Sequence, residues 1–129
     1  MASIFTRIVR GEIPCHKVGE DDRFLAFLDI DPVRPGHALV IPKMEVDRFF
    51  DLPDDLLAAI MPFARDVARR IETVVPCDRV GVAVVGLEVP HAHVHLIPIN
   101  GVHDMDFAAP RTKMTGEELA ALAARIRAA

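Results

Sequence analysis

The segment His91-Ala92-His93-Val94-His95 places three of the protein's six histidines within five residues. On a strand, alternate side chains share a face, so the three imidazoles would stand in one row, about 6.6 Å apart, with Ile97 and Ile99. Ala92, Val94 and Leu96 would face the other way. A buried imidazole needs partners at two nitrogens, so such a row is costly as packing alone. Two chemistries fit it. Neutral imidazole is a common metal ligand, and His91, His93 and His95, with or without Glu88, could hold a zinc ion with an open position. Imidazole is also a nucleophile towards phosphorus near neutral pH, provided that a neighbour orients the ring and donors stabilise the displaced charge. Spacing alone leaves both open. His16 and His103 stand singly and read as structural residues.

The elements that must carry this row follow from periodicity. Ser3 can cap a short helix over residues 3–10, with Ile4, Phe5, Ile8 and Val9 at helical spacing and Gly11 and Pro14 ending it. Residues 16–20 and 23–29 alternate like strands around the polar turn Glu20-Asp21-Asp22, which predicts a hairpin. Asp31-Pro32-Val33-Arg34-Pro35-Gly36 must be a loop, and residues 36–43 a third strand. From 51 to about 75, Leu56, Ile60, Phe63, Val67, Ile71 and Val74 recur at three or four residues, which predicts the main helix. Pro62 should kink it. Valine-rich residues 79–85 and alternating residues 91–99 make two more strands. Thr115 and Glu118 form a capping-box pattern before Leu119, Leu122 and Ile126, so the chain ends in a helix. The expected fold is an α+β domain over residues 1–129: a five-stranded, mainly antiparallel sheet with one long and one or two short helices. Residues 101–129 read as a C-terminal extension of it.

Composition narrows the partners. A formal charge of −4 and a pI near 5.8 argue against an electrostatic nucleic-acid binder, whereas a small anionic ligand needs only local donors. No apolar run approaches the roughly 18 residues of a membrane span. Cys15 and Cys77 are far apart, with no CxxC spacing and no signal-like stretch after Met1, so the expected compartment is the cytoplasm.

The string His91-Ala-His93-Val-His95-Leu-Ile-Pro98 resembles the signature of the histidine triad family, in its Hint-like branch. Three further stretches resemble that branch in the expected order: Ile4-Phe5-Thr6-Arg7-Ile8-Val9-Arg10-Gly11-Glu12-Ile13-Pro14, Phe27-Leu28-Asp29-Ile30, and Pro35-Gly36-His37-Ala38-Leu39-Val40-Ile41-Pro42-Lys43. The resemblance implies a nucleotidyl hydrolase or transferase, acting on a purine nucleotide or nucleoside phosphoramidate. His93 would attack the α-phosphorus and form a covalent nucleotidyl-histidine. His95 would contact the phosphate and assist the leaving group, while His91 and His37 would support the ring geometry. Asp29 would bind the ribose hydroxyls, turn formation being assigned instead to Asp31. Phe5, Ile8, Phe27, Ile30 and Leu39 would form the base pocket. The resemblance also implies a homodimer and calls for no cofactor or metal.

The resemblance breaks at Val84-Val85-Gly86-Leu87-Glu88-Val89-Pro90. Family members usually supply here an Asn and a Gly-x-Ser or Gly-x-Thr element that donates to the phosphate. This stretch is shorter and contains no Asn, Gln, Ser or Thr. Backbone N–H groups around Gly86 and Leu87 would have to take over. Glu88, a carboxylate beside an expected phosphate, is expected to face solvent. A nucleotide-binding sensor or partner protein with little turnover is therefore one alternative to an enzyme, and the histidine-ligated metal protein is the other.

Overall fold

A computed structural model describes all residues, 1–129. The chain forms α1 (Ile4–Val9), β1 (Lys17–Glu20), β2 (Phe24–Leu28), β3 (Ala38–Pro42), α2 (Asp54–Val74), β4 (Arg79–Ala83), β5 (Val94–Ile99) and α3 (Gly116–Ala128). The strands make one antiparallel sheet in the order β1-β2-β3-β5-β4. This is the α+β architecture that the periodicity predicts.

The two faces of the sheet have different coverings. Phe24, Ala26 and Leu28 of β2, Ala38 and Val40 of β3, and Val94 and Leu96 of β5 pack against Leu56, Ile60, Ala64, Val67 and Ile71 of α2. The same core takes in Leu119, Leu122, Ala123 and Ile126 of α3, so residues 116–128 close one side of it. Leu25, Phe27, Leu39 and Ile41 point to the opposite face, where Phe5 of α1 covers them. A strand buried on both faces loses its polar alternation, which is why β2 reads Phe-Leu-Ala-Phe-Leu. On the α1 face, Phe27 lies opposite Leu39 and Leu39 opposite His95, so one cross-strand row runs from β2 to β5.

One sequence expectation changes, and the proline of the main helix finds its explanation. Helix α2 runs from Asp54 to Val74 through Pro62. Pro62 and Ala58, whose carbonyl loses its helical partner, are both exposed, so water can satisfy that carbonyl and the proline is tolerated. The strand expected over residues 91–99 begins only at Val94. β3 pairs with β5 as far as Val40 opposite Val94, and two positions further on the same register would place Pro42 against Ala92. Proline has no N–H to donate, and the ladder stops. Ala92 instead donates to the carbonyl of Val46 at 2.7 Å.

The loop between β2 and β3 is closed by Gly36, at φ 94°. A Cβ there would stand 2.9 Å from Cγ of Pro98 and 3.0 Å from Cγ2 of Val75, so glycine is required twice over. The loop is strapped to the segment after β5. Arg34 Nη1 donates to Asp104 Oδ1 at 2.9 Å, Thr112 N–H donates to Pro32 O at 2.9 Å, and Thr112 Oγ1 donates to Val33 O at 3.1 Å.

Candidate active site

All four histidines of the candidate set are buried: His37 and His91 are 0% exposed, His93 5% and His95 8%. Their protonation states follow from their partners, because an amide N–H can only donate and a carbonyl can only accept. Val33 N–H meets His37 Nδ1 at 3.0 Å, so that nitrogen accepts and the ring proton sits on Nε2. His37 Nε2–H then donates to His95 Nδ1 at 2.9 Å, which leaves neutral His95 with its own proton on Nε2. His93 has the opposite arrangement. Its Nδ1 lies 2.7 Å from the carbonyl of His91 and must donate, so its Nε2 carries a free lone pair. Two neighbouring rings, with centroids 4.9 Å apart, thus present one lone pair and one N–H.

His91 is placed differently from the row on one strand that alternation suggests. Its Nε2–H donates to Pro42 O at 2.8 Å and its Nδ1 accepts from Ser3 Oγ at 2.8 Å. Both nitrogens are used inside the protein, so His91, His93 and His95 do not form a three-histidine metal site. The histidine and carboxylate atoms that do converge belong to Asp29, His37 and His95, within 4.8 Å of one another. Around His91, Ser3 Oγ also accepts from Thr6 N–H at 3.0 Å, capping α1. Glu45 accepts from Ser3 N–H at 2.7 Å and from Thr6 Oγ1 at 2.6 Å, and these donors hold its carboxyl down to about 2. The ring of Phe5 stands edge-on to both His91 and His93, at 5.8 and 5.1 Å. α1 thereby fixes the segment that the ladder does not.

Burial lowers the basicity of these rings. Desolvation, assisted by the neighbouring His95 and Arg111, pushes His37 down to about 3. Desolvation, with His93 and Arg111, pushes His95 down to about 4, and desolvation also lowers His91. The sign for stability follows. Below the ordinary value of 6.5, an unfolded chain protonates His37 and His95 before the native protein does. Their contribution to stability is therefore complete above about pH 6.5 and is lost as pH falls towards 4 and then 3. Each should remove about 1.4 kcal/mol per pH unit within that window. Urea unfolding at successive pH values should show a steep decline between pH 6 and 4.5, and a flat profile there would contradict these protonation states.

His93 and His95 open onto a cavity of about 360 Å³ on the α1 face. Phe5, Ile8, Phe27, Asp29, Ile30, Leu39, Gly86 and Leu87, all singled out in the sequence, line it with them. His37 and His91 do not reach it and stand behind the two rings that do. Ile30 and Leu87 are at the rim, 74% and 89% exposed. Asp29 differs in one respect from the sequence reading: its Oδ1 accepts from Asp31 N–H at 2.8 Å, so Asp29 itself forms the turn. Its Oδ2 stays 3.7 Å from His37 Nε2, and desolvation raises its carboxyl above the usual range. Glu88 is exposed at the cavity mouth. Gly86 adopts φ 76°, and the N–H groups of Gly86, Leu87, Glu88 and Val89 make no hydrogen bond within the protein. Two further lining residues, Phe107 and Arg111, escaped sequence reasoning. They lie in a stretch without periodicity, and the only signal there is an aromatic residue and an arginine amid small and acidic residues.

Residues 10–102 match the HIT domain. An adenosine 5'-monophosphoramidase of Schizosaccharomyces pombe is 37% identical over 129 residues, covering 98% of this chain and 96% of that one. An uncharacterized HIT-like protein of Methanocaldococcus jannaschii is 41% identical over 102 residues, covering 74% of this chain and 77% of that one. Among solved structures, a Hit-like protein involved in cell-cycle regulation from Bartonella henselae superposes with a TM-score of 0.84 at 31% identity, over 98% of this chain and 94% of that one.

Proposed function

The chain belongs to the HIT family, and from that premise we propose that it is a purine nucleoside phosphoramidase that works through a covalent nucleotidyl-histidine. The observation that carries this reading is the pairing of opposite tautomers on His93 and His95 at the floor of one cavity. A nucleophile and an electrostatic donor are what displacement at phosphorus needs side by side.

In this reading the purine lies among Phe5, Ile8, Phe27, Ile30 and Leu39, and the ribose hydroxyls donate to Asp29. His93 Nε2 attacks the α-phosphorus. The P–N bond breaks with its electron pair on nitrogen, which takes a proton from solvent at the cavity mouth. The ring becomes cationic on attack, and the His91 carbonyl, accepting from Nδ1–H, stabilises that charge and holds the ring in place. Water then attacks phosphorus and gives up a proton to solvent, the P–Nε2 bond breaks with its electron pair returning to the neutral His93 ring, and the nucleoside monophosphate leaves. His95 Nε2–H donates to the phosphate in both steps. His37 keeps that proton on the cavity side by donating to Nδ1. The free N–H groups of residues 86–89 supply further donors in place of missing side chains.

Adenosine 5'-phosphoramidate incubated with the protein should yield AMP and ammonia in equal amounts, read by chromatography. Tight AMP binding with no turnover on phosphoramidates, phosphoanhydrides or acyl adenylates would instead mark a nucleotide-binding protein. The proposed assembly is a homodimer. Edge strand β4 leaves Val82 49% exposed, with Val84 and Val85 beyond it 43% and 50% exposed, an apolar margin suited to a second copy. Light scattering after size exclusion reads that mass directly.

A further inference from the structure

We propose that Arg111 is the residue that binds the charge of the nucleotide's phosphate, and so sets the preference of this cavity for nucleotides over nucleosides. The inference rests on the nucleotide reading above and assigns a part of the site that the triad and the base pocket leave open.

Arg111 is the one lysine or arginine among the residues lining the cavity, which also presents two carboxylates, Asp29 and Glu88. Desolvation keeps His37 and His95 unprotonated at neutral pH, so neither ring brings a positive charge to the cavity. An anion entering this cavity therefore meets a single fixed cation. Without it, burying phosphate beside two carboxylates would be unfavourable.

The guanidinium is held in place without being neutralised. Nη1 donates to Asp31 O at 2.8 Å and Nη2 to Phe107 O at 3.3 Å. Both partners are carbonyls, and Arg111 takes part in no salt bridge, although Asp29 and Glu88 border the same cavity. Two of five N–H groups are used, which leaves three for a ligand. The guanidinium carbon lies 5.9 Å from the centroid of Phe107, and the Phe107 ring lies 4.8 Å from that of His95. Phe107 is thus an apolar shelf between the cation and the N–H donor, and by excluding water it strengthens the field of both. Arg111 is tied to the carbonyl of Asp31, two residues from Asp29, and its neighbour Phe107 packs on His95, which places the guanidinium at the end of the cavity that Asp29 and His95 border.

Position in the chain explains why such a residue is needed here. The stretch before the triad contains no side-chain donor, and its N–H groups carry dipoles but no net charge. The segment after β5 supplies the charge from the other side of the cavity, fastened by Arg111 and Thr112 to the loop that also positions His37.

Calorimetric titration of the wild-type protein, Arg111→Gln and Arg111→Lys with adenosine and with AMP tests this. Wild type should bind AMP more tightly than adenosine. In Arg111→Gln, AMP affinity should fall about 10- to 100-fold, with adenosine affinity changed by less than about twofold. Arg111→Lys should recover part of the difference, because it keeps the charge and loses the fork. Equal weakening of both ligands would mean that Arg111 only holds its segment in place, and unchanged AMP affinity would mean that it does not meet the phosphate. Either result overturns the assignment while the nucleotide reading stands. A wild-type protein that binds neither ligand would instead remove the nucleotide reading and this inference with it.

Discussion

His93→Ala is expected to lower kcat on adenosine 5'-phosphoramidate by about 10⁴-fold or more, while AMP still binds within a fewfold of wild type. The asymmetry follows from the geometry. His93 Nε2 is the one triad nitrogen that faces the cavity with a lone pair, because Nδ1 is committed as a donor to the His91 carbonyl. Neither His95, whose cavity-facing nitrogen carries a proton, nor His91, whose two nitrogens are both engaged, can substitute. The base and ribose contacts lie elsewhere in the cavity, so binding should survive. Turnover of His93→Ala at the wild-type rate would remove the nucleophile assignment.

The second large effect belongs to His95. His95→Ala should reduce kcat about 10²- to 10³-fold, as expected for loss of one preorganised donor to a phosphate that gains charge in the transition state, with a smaller change in KM. Here the donor is held in place through two hydrogen bonds, from Val33 to His37 and from His37 to His95. His37→Leu should therefore reproduce part of the His95→Ala loss although its side chain never reaches the cavity, and steady-state kinetics on both variants would show it. A His37→Leu enzyme as fast as wild type would show that His95 does not depend on that chain.

How much of this was legible in the sequence can be judged residue by residue. The alternation of residues 91–99 pointed to one face for His93 and His95, and the periodicity of Leu56, Ile60, Val67 and Ile71 identified the helix behind the sheet. Alternation could not show that His91 stands back from the cavity, because its ring is taken up by the carbonyl of Pro42, 49 residues away, and by Ser3. Tautomers were not legible for the same reason: His37 and His95 are 58 residues apart, and only the pairing of β3 with β5 brings them to 2.9 Å. Arg111 and Phe107 were hidden more deeply. Arg111 is held by backbone carbonyls, and any residue supplies a carbonyl, so no partner residue advertises the contact. Asp29 closes the turn that sequence reasoning assigned to Asp31, through one carboxylate oxygen, and its other oxygen is left for the ribose contact proposed above.

The central claim is that phosphorus passes from substrate to His93 Nε2 before it reaches water. Rapid acid-free quenching of the protein during turnover, followed by intact-mass and peptide mass spectrometry, tests it most directly. The expected result is a protein population heavier by one adenylyl group, with the added mass on the peptide containing residues 91–95 and absent from His93→Ala. Full turnover with no adenylylated species, together with inversion of configuration at a chiral phosphorus, would show direct attack by water and contradict the account.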